Sequence, residues 1–269
     1  MAFNAEPNRT QTDPSAQKPS VRPSAQPSPA MMFAAQLIAT FVFAACCVVG
    51  AVWGLPEIVV AVLAAVALLT FVALWPLRAD MIARIAALVA GAASILVAML
   101  PGVAHQDGTF IEPSALMAHA MMPVVSRWAS ALVVLLILLV ITGFLRQMLR
   151  EPRTELVRSL SSFVLGGVAA VGSAGWIILA RVLRQWHDLV APQPSGAMRA
   201  LSTGSAWILC AVALAALAVI VAMAFVSRQW WQDAAIDALN PAPWLGFGLL
   251  PAMVHGFLAF LVAFAALAL

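Results

Sequence analysis

The sequence predicts an all-α protein, a polytopic bundle of about seven transmembrane helices that follows a disordered N-terminal tail. Of the 269 residues, 64% are hydrophobic and only 9% are charged, whereas soluble domains carry about 25% charged residues. The apolar residues fall in blocks of about 20, the length that carries a helix across roughly 30 Å of hydrocarbon. No segment alternates apolar and polar residues in the way that the strands of a transmembrane barrel do.

The first thirty residues have a composition of their own. They hold six prolines among serine, glutamine and alanine, and they offer almost no large apolar side chain for a core. Such a composition predicts disorder. It differs from a secretory signal, whose short charged region is followed at once by an apolar core. We therefore divide the chain into a disordered cytoplasmic tail, residues 1–30, and a transmembrane helical domain, residues 31–269.

Seven apolar stretches follow the tail, and each is long enough to cross a bilayer. Tryptophans lie at or near their ends, where an amphipathic indole is stable at the headgroup level. Prolines fall in the connections, where a missing N–H costs least. The predicted spans are about 31–53, 57–75, 81–100, 128–145, 160–180, 205–227 and 244–269.

Small residues recur at four-residue spacing within several spans, and such stripes allow two helices to approach closely. We expect them to pack within one bundle. The clearest stripes are Ala83, Ala87 and Gly91, and Gly166, Ala170 and Ala174.

The basic residues predict the orientation. With the N-terminus in the cytoplasm, ten of the fourteen basic residues lie on the cytoplasmic side, as the positive-inside rule requires. The C-terminus is then external. Arginine replaces lysine at all but one of these positions, alanine is abundant and tyrosine is absent, a bias typical of GC-rich bacterial genomes. We therefore expect a bacterial inner membrane.

Three connections have features of their own. Residues 114–122 fit a short amphipathic helix that caps the outer side of the bundle. Residues 181–199 begin with Arg181 and Arg184 opposite an apolar face, and two interpretations stay open: a helix along the membrane surface, or arginines that snorkel from a span. The basic stretch 146–158 can bind anionic headgroups or a cytoplasmic partner, and ordinary topogenic charge explains it equally well.

The absence of charged residues from the centres of the predicted spans excludes several functions. None of the predicted spans carries Asp, Glu, Lys or Arg in its central part, although proton relays and ion-coupled transporters usually keep such residues at membrane depth. A carboxylate-driven pump is therefore not expected. The net charge of +3 is small and scattered, which gives no basis for nucleic-acid binding.

His255 is the only ionisable side chain near the middle of a predicted span. It follows Pro251 by one helical turn, and proline frees a carbonyl one turn back, so a kink and an unpaired acceptor are expected beside the imidazole. Interrupted helices of this kind often build membrane binding sites. The alternative, which we favour, is structural: one hydrogen bond to Thr40, Thr70 or Ser173 would satisfy a neutral histidine.

Two other side chains are weaker candidates. Ser173 lies among small residues in the fifth span, and a Ser173–His255 dyad would supply the nucleophile of an intramembrane hydrolase. His119 lies between Met117 and Met121, and imidazole with thioether ligands suits Cu(I). On a helix these three side chains point apart, so we predict that they do not bind copper.

The sequence therefore predicts a multi-pass membrane protein that is not an enzyme and has no catalytic residue, cofactor or metal. Its best interpretation is a non-catalytic accessory subunit or scaffold of a membrane complex, with membrane lipids and other membrane-protein subunits as partners. The alternative is a permease for an uncharged or amphipathic small solute, with its site near His255. Copper handling and Ser–His hydrolysis are remote alternatives. A water-lined cavity at His255 would favour transport, whereas a filled bundle with an exposed face of small residues would favour a partner subunit.

Overall fold

Helices are the only regular elements in the part of the chain that the structure describes. The computed structural model describes residues 29–76, 81–101, 113–149, 156–190, 203–230 and 242–268. The helices are α1 (Pro29–Val52), α2 (Ile58–Ala73), α3 (Met81–Met99), α4 (Pro113–Leu149), α5 (Leu156–Gly172), α6 (Gly175–Val190), α7 (Thr203–Trp230) and α8 (Pro243–Ala268). Only a two-residue turn separates α5 from α6, so the eight helices form seven rods.

The lengths and composition of these rods fit a helical membrane bundle. Five helical stretches are long and apolar enough to cross a bilayer. They are Ala30–Val52, Met81–Met99, Met121–Leu149, Leu160–His187 and Pro243–Leu267. Shorter apolar helices, Ile58–Ala73 and Ala213–Ser227, occupy the predicted second and sixth spans. The predicted fold class is confirmed.

The predicted tail lies outside the described residues, apart from its last two positions. Pro29 and Ala30 already belong to α1. Proline suits the first turn of a helix, because its missing N–H would have no intrahelical acceptor there.

The fourth rod is longer than the sequence predicted, because α4 begins at Pro113 rather than near residue 128. The stretch 114–122 is therefore the first part of α4 and not a separate surface helix. Pro123 marked a boundary in the sequence, yet α4 continues through it. The proline removes one backbone N–H from the helix and leaves the carbonyl four residues before it without its usual donor, a loss that membrane helices tolerate. One turn on, Ser126 Oγ donates to the Pro123 carbonyl at 3.3 Å.

Helix α6 also differs from the surface helix considered for residues 181–199. It runs within the bundle, packed mainly against α1 and α8, and its Ile178 and Val182 side chains are buried. Arg181 and Arg184, in the middle of α6, contact residues at the ends of other helices. Residues 191–199 lie outside the described part of the chain.

The small-residue stripes pack against each other inside the bundle, where α3 meets α5. Ala83 and Ala87 on α3 and Ala170 on α5 are buried. A Cβ atom added at Gly91 would lie 3.1 Å from the Ala170 Cβ and 2.8 Å from Leu68. Glycine allows this close approach, since a Cβ atom at position 91 would require Leu68 and Ala170 to shift.

Helix α7 lies at the edge of the bundle and packs mainly against α8, with a smaller contact on α1. Among its described side chains only Ala224 is fully buried. The face of α7 that is turned to the bundle also carries Ala216, Ile220, Met223 and Ser227, which are partly buried.

Candidate functional site

The α5–α6 rod is interrupted in the middle of the bundle, at Gly172–Gly175. Glycine and serine have low helix propensity. An interruption leaves the carbonyls of the preceding turn without their usual intrahelical donors. Inside a membrane each must find another partner. Two hydroxyls supply them: Ser173 Oγ donates to the Ala170 carbonyl at 2.7 Å, and Ser94 Oγ on α3 donates to the Val171 carbonyl at 2.9 Å.

Ser94 is held in turn by Trp128 on α4. The Trp128 indole N–H donates to Ser94 Oγ at 3.1 Å, and both side chains are buried. Indole, hydroxyl and the Val171 carbonyl therefore form one chain of hydrogen bonds across three helices. Ser94 was not among the residues predicted from the sequence, because a lone serine in an apolar span looks like any small packing residue.

Helix α8 crosses the interruption at Gly256, where the two backbones touch. A Cβ atom at Gly256 would collide with the Gly172 carbonyl, and one at Gly175 would collide with the Gly256 carbonyl. Cα–H groups can contact carbonyls at such crossings, and small residues at membrane helix interfaces allow the approach. The crossing fixes α8 against the interrupted rod one residue away from His255.

Trp176, at the start of α6, ties the same region to α1 and α8. Its indole N–H donates to the Ala252 carbonyl, next to Pro251, at 3.0 Å. The Trp176 backbone carbonyl accepts a hydrogen bond from the Cys47 thiol at 3.4 Å. The Trp176 ring stacks on Phe43, with ring centroids 5.4 Å apart. The carbonyl of the residue after Pro251 thus accepts a hydrogen bond from a side chain of the neighbouring helix.

His255 lies at the centre of this arrangement and has 0% of its surface exposed. Its Nδ1 is 3.1 Å from Thr40 Oγ1 on α1, one of the three partners proposed from the sequence. Its Nε2 is buried and has no hydrogen-bond partner among the described residues. A neutral imidazole has one donor and one acceptor, so Thr40 satisfies half of its capacity.

The structure brings Ser173 and His255 to the same level of the bundle without pairing them. The Ser173 hydroxyl donates to Ala170, and the imidazole pairs with Thr40. A serine nucleophile needs an adjacent base to take its proton, and the described residues provide none at Ser173. This geometry does not form a hydrolytic dyad.

The predictions for His119 and copper lie outside what the structure describes. The backbone at His119 belongs to α4, whereas the side chains of residues 113–120 are not described. Among the described residues, no group of three or more His, Cys, Asp or Glu side chains could hold a metal ion.

A cluster of charges at one end of the bundle was also missed by the sequence analysis. Arg181 contacts Glu57, which precedes α2, at 3.3 Å, and it donates to the Met99 and Leu100 carbonyls at the end of α3 at 2.9 and 3.0 Å. Arg184 also contacts Glu57, at 3.5 Å. Cations stabilise a helix C-terminus, where carbonyls lack intrahelical donors. Arg184 also donates to the carbonyl of Leu55, which follows α1, at 3.1 Å. The arginines therefore join the ends of α1 and α3 to the start of α2.

The opposite end of the bundle has a smaller polar contact. Ser227 Oγ on α7 donates to Gln36 Oε1 on α1 at 3.1 Å. Gln36 is fully buried, and its Nε2 has no partner among the described residues. This hydrogen bond attaches the peripheral helix α7 to the bundle.

Comparison of the chain with models of known protein families, with curated proteins and with solved structures finds no match in any of the three. The residues around His255 and the helix interruption must therefore carry the functional argument.

Proposed function

We propose that the protein is a non-catalytic accessory subunit or scaffold of a membrane complex. The observation that carries this proposal is the filled centre of the bundle. The His255 side chain has no exposed surface, and the backbones cross in contact at Gly256. Ser173 is committed to a carbonyl of its own helix. Ser173 and His255 are both 0% exposed, so neither side chain is open to a substrate from the surface of the bundle.

A second observation supports a partner subunit, and it concerns the outer face of α7. At 3.6 residues per turn, Ala211, Ala215, Ala218 and Ala222 lie on one stripe, opposite the face that packs on the bundle. All four alanines are exposed. Membrane helices associate through small residues that let their backbones approach closely. A filled bundle with such a face is the combination expected of a partner subunit.

The proposed setting is a multi-pass protein of a bacterial inner membrane, with a cytoplasmic N-terminus and an external C-terminus. Four basic residues count against this orientation, namely Arg127, Arg181, Arg184 and Arg199, and Arg199 lies outside the described residues. Arg181 and Arg184 share Glu57, and Arg127 donates to the Pro101 carbonyl at 3.0 Å. These contacts give three of the four outer arginines a local structural role in addition to the charge that the positive-inside rule counts.

Photo-crosslinking in native membranes tests the proposal. A photoreactive residue at Ala218 should give one discrete protein adduct, because this position faces away from the bundle. The matched control is Ile137 on α4, which is 52% exposed and lies in no small-residue stripe, and we expect lipid adducts alone there. If both positions give only lipid adducts and the protein purifies without another subunit, the proposal is wrong.

The alternative function is a permease for an uncharged or amphipathic solute. It is favoured by the buried Nε2 of His255, which has no partner among the described residues, beside an interrupted rod and Pro251. Buried polar atoms usually have a partner, so a solute group or water would complete this one.

His255→Gln distinguishes the two functions. Glutamine keeps a donor and an acceptor in similar volume, and polar contacts in membrane bundles contribute about 1 kcal/mol. If His255 only packs, growth, crosslinking and thermal stability stay close to wild type. If it lines a solute site, the variant folds normally and keeps its crosslink, but cells that carry it no longer grow as wild-type cells do.

A further inference from the structure

Buried polar side chains line one side of His255, along α1. Gln36 and Thr40 lie one turn apart on the same face of α1, and they are 0% and 7% exposed. Thr40 contacts the His255 imidazole, and Gln36 Oε1 accepts the Ser227 hydroxyl. Ser227 lies in the last turn of α7. These four residues therefore lead from a helix end at the edge of the bundle to the imidazole in its middle.

Two nitrogen atoms along this line have no hydrogen-bond partner among the described residues. They are Nε2 of Gln36 and Nε2 of His255, and both are buried. The amide nitrogen is a donor, and the imidazole nitrogen donates or accepts according to the tautomer. Buried polar atoms are nearly always hydrogen-bonded, because burial without a partner costs free energy. Both atoms therefore indicate a ligand between α1 and α8.

The ligand has to be small, because the two helices touch beside it. A Cβ atom added at Gly248 on α8 would lie 2.5 Å from the Ala35 Cβ and 3.0 Å from the Gln36 backbone nitrogen. Side chains four residues apart on a helix have Cβ atoms about 6 Å apart, and one water with a hydrogen bond on each side joins groups about 5–6 Å apart. Gln36 and Thr40 carry no charge that would hold an ion. Water fits both the space and the polar groups, since a buried water typically makes about three hydrogen bonds.

The other side of His255 is closed by aromatic rings. The same face of α1 continues with Phe43 and Cys47, which are buried, and the Trp176 ring stacks on Phe43. The Trp176 indole N–H is bonded to the Ala252 carbonyl, and the Cys47 thiol is bonded to the Trp176 carbonyl. The polar groups on this side are thus paired with one another, and two rings fill the space between the helices.

We propose that Gln36, Thr40 and His255 bind water that reaches the imidazole from the Ser227 end of the bundle and goes no further. The bound water gives the His255 side chain a one-sided path for proton exchange. In the orientation proposed above, this path starts at the cytoplasmic end. The inference goes beyond the proposed function, because an accessory subunit does not need a hydrated histidine in its centre.

X-ray hydroxyl-radical footprinting of the full-length protein in detergent tests the path. Radiolysis of bound water produces radicals where the water lies, so side chains beside internal water are oxidised even where bulk solvent is excluded. Peptide mass spectrometry should find His255 oxidised. Met253 is the internal control, because it is 0% exposed and belongs to the apolar core of the same helix. Methionine is readily oxidised, yet we expect Met253 to be protected.

Three variants locate the water. Gln36→Leu removes the amide in a similar volume, and it should lower the oxidation of His255 to the level of Met253. Ser227→Ala is the control for the attachment of α7, because it removes the same hydrogen bond and leaves the Gln36 amide in place. Cys47→Ala removes a buried polar atom on the closed side. Both controls should keep the oxidation of His255 at the wild-type level, and thermal unfolding establishes that each variant is folded.

The wild-type protein alone decides against the proposal if His255 is as protected as Met253, or if both are oxidised equally. The proposal is also overturned if folded Gln36→Leu keeps the wild-type oxidation of His255, or if Ser227→Ala loses it to the same extent as Gln36→Leu. Loss of the α7 crosslink in the preceding section would contradict the proposed function and leave this path unaffected.

Discussion

At the scale of single residues, the centre of the bundle depends on glycines whose missing side chains leave room for a neighbouring backbone. Gly256 and Gly175 are the clearest cases, because the atoms that a Cβ would meet belong to a carbonyl group. Backbone atoms cannot rotate away as a side chain can, so the whole helix would have to move.

Gly256→Ala should therefore destabilise the protein by about 1–3 kcal/mol or more, the cost of overpacking a core. Gly50→Ala is the control, since the nearest atom to its added Cβ lies 3.9 Å away. Alanine is favoured over glycine in a helix by about 0.5–1 kcal/mol, so this variant should be neutral or stabilised. Thermal unfolding in detergent measures both, and equal midpoints for the two variants would contradict the crossing.

The types of individual residues in the sequence predicted part of the candidate site around His255. The isolation of His255 in an apolar span led to Thr40 as one of three candidate partners, and the structure selects it. Nothing in the sequence connects Gly256 with Gly172, because a contact between backbones leaves no polar or charged residue to recognise. Glu57 was missed for another reason: it precedes α2 in a short connection, and its arginine partners lie more than a hundred residues later.

At the scale of helices, the sequence located the spans better than their ends. The apolar blocks correspond to the seven rods, since burial in lipid or protein requires apolar side chains throughout. The interruption between α5 and α6 was not predicted, because Gly172–Gly175 is as apolar as its surroundings. The start of α4 was misplaced because Pro123 and the polar residues after it resemble a helix boundary, although a membrane helix can continue through proline.

The interruption predicts a specific role for Ser94. Ser94→Ala leaves the buried Trp128 indole N–H without this partner, and an orphaned buried group costs about 1–3 kcal/mol. The Val171 carbonyl loses its shorter hydrogen bond and keeps the one from the Ala174 N–H at 3.4 Å. Ser130→Ala is the control, because its hydroxyl bonds only to Ser126 in its own helix. We expect Ser94→Ala to lower the unfolding temperature and Ser130→Ala to leave it unchanged. Equal stabilities would show that the hydroxyl is dispensable at the interruption.

The charged cluster predicts an unequal role for its two arginines. The Arg181 side chain is 11% exposed and Arg184 36%, and only Arg181 donates to the end of α3. Exposed ion pairs contribute about 0–1 kcal/mol, whereas partly buried charged hydrogen bonds contribute about 1.5–3 kcal/mol. Arg181→Gln should thus destabilise the protein more than Arg184→Gln in denaturant unfolding. The reverse order would contradict the proposed junction of three helix ends.

At the scale of the whole molecule, the polar groups separate into three levels. Glu57 with Arg181 lies at one end of the bundle, His255 with Thr40 lies in the middle, and Gln36 with Ser227 lies one turn of α1 further toward the other end. Composition alone predicted the membrane environment, but which loops meet at each end depends on packing between distant helices.

We propose that all seven rods cross the membrane, which would place the two termini on opposite sides. Reporter fusions at the N-terminus and the C-terminus test it most directly, with one reporter active only in the cytoplasm and another active only outside it. We expect the cytoplasmic reporter to be active at the N-terminus alone and the external reporter at the C-terminus alone. Activity of the same reporter at both ends would contradict the seven-span account.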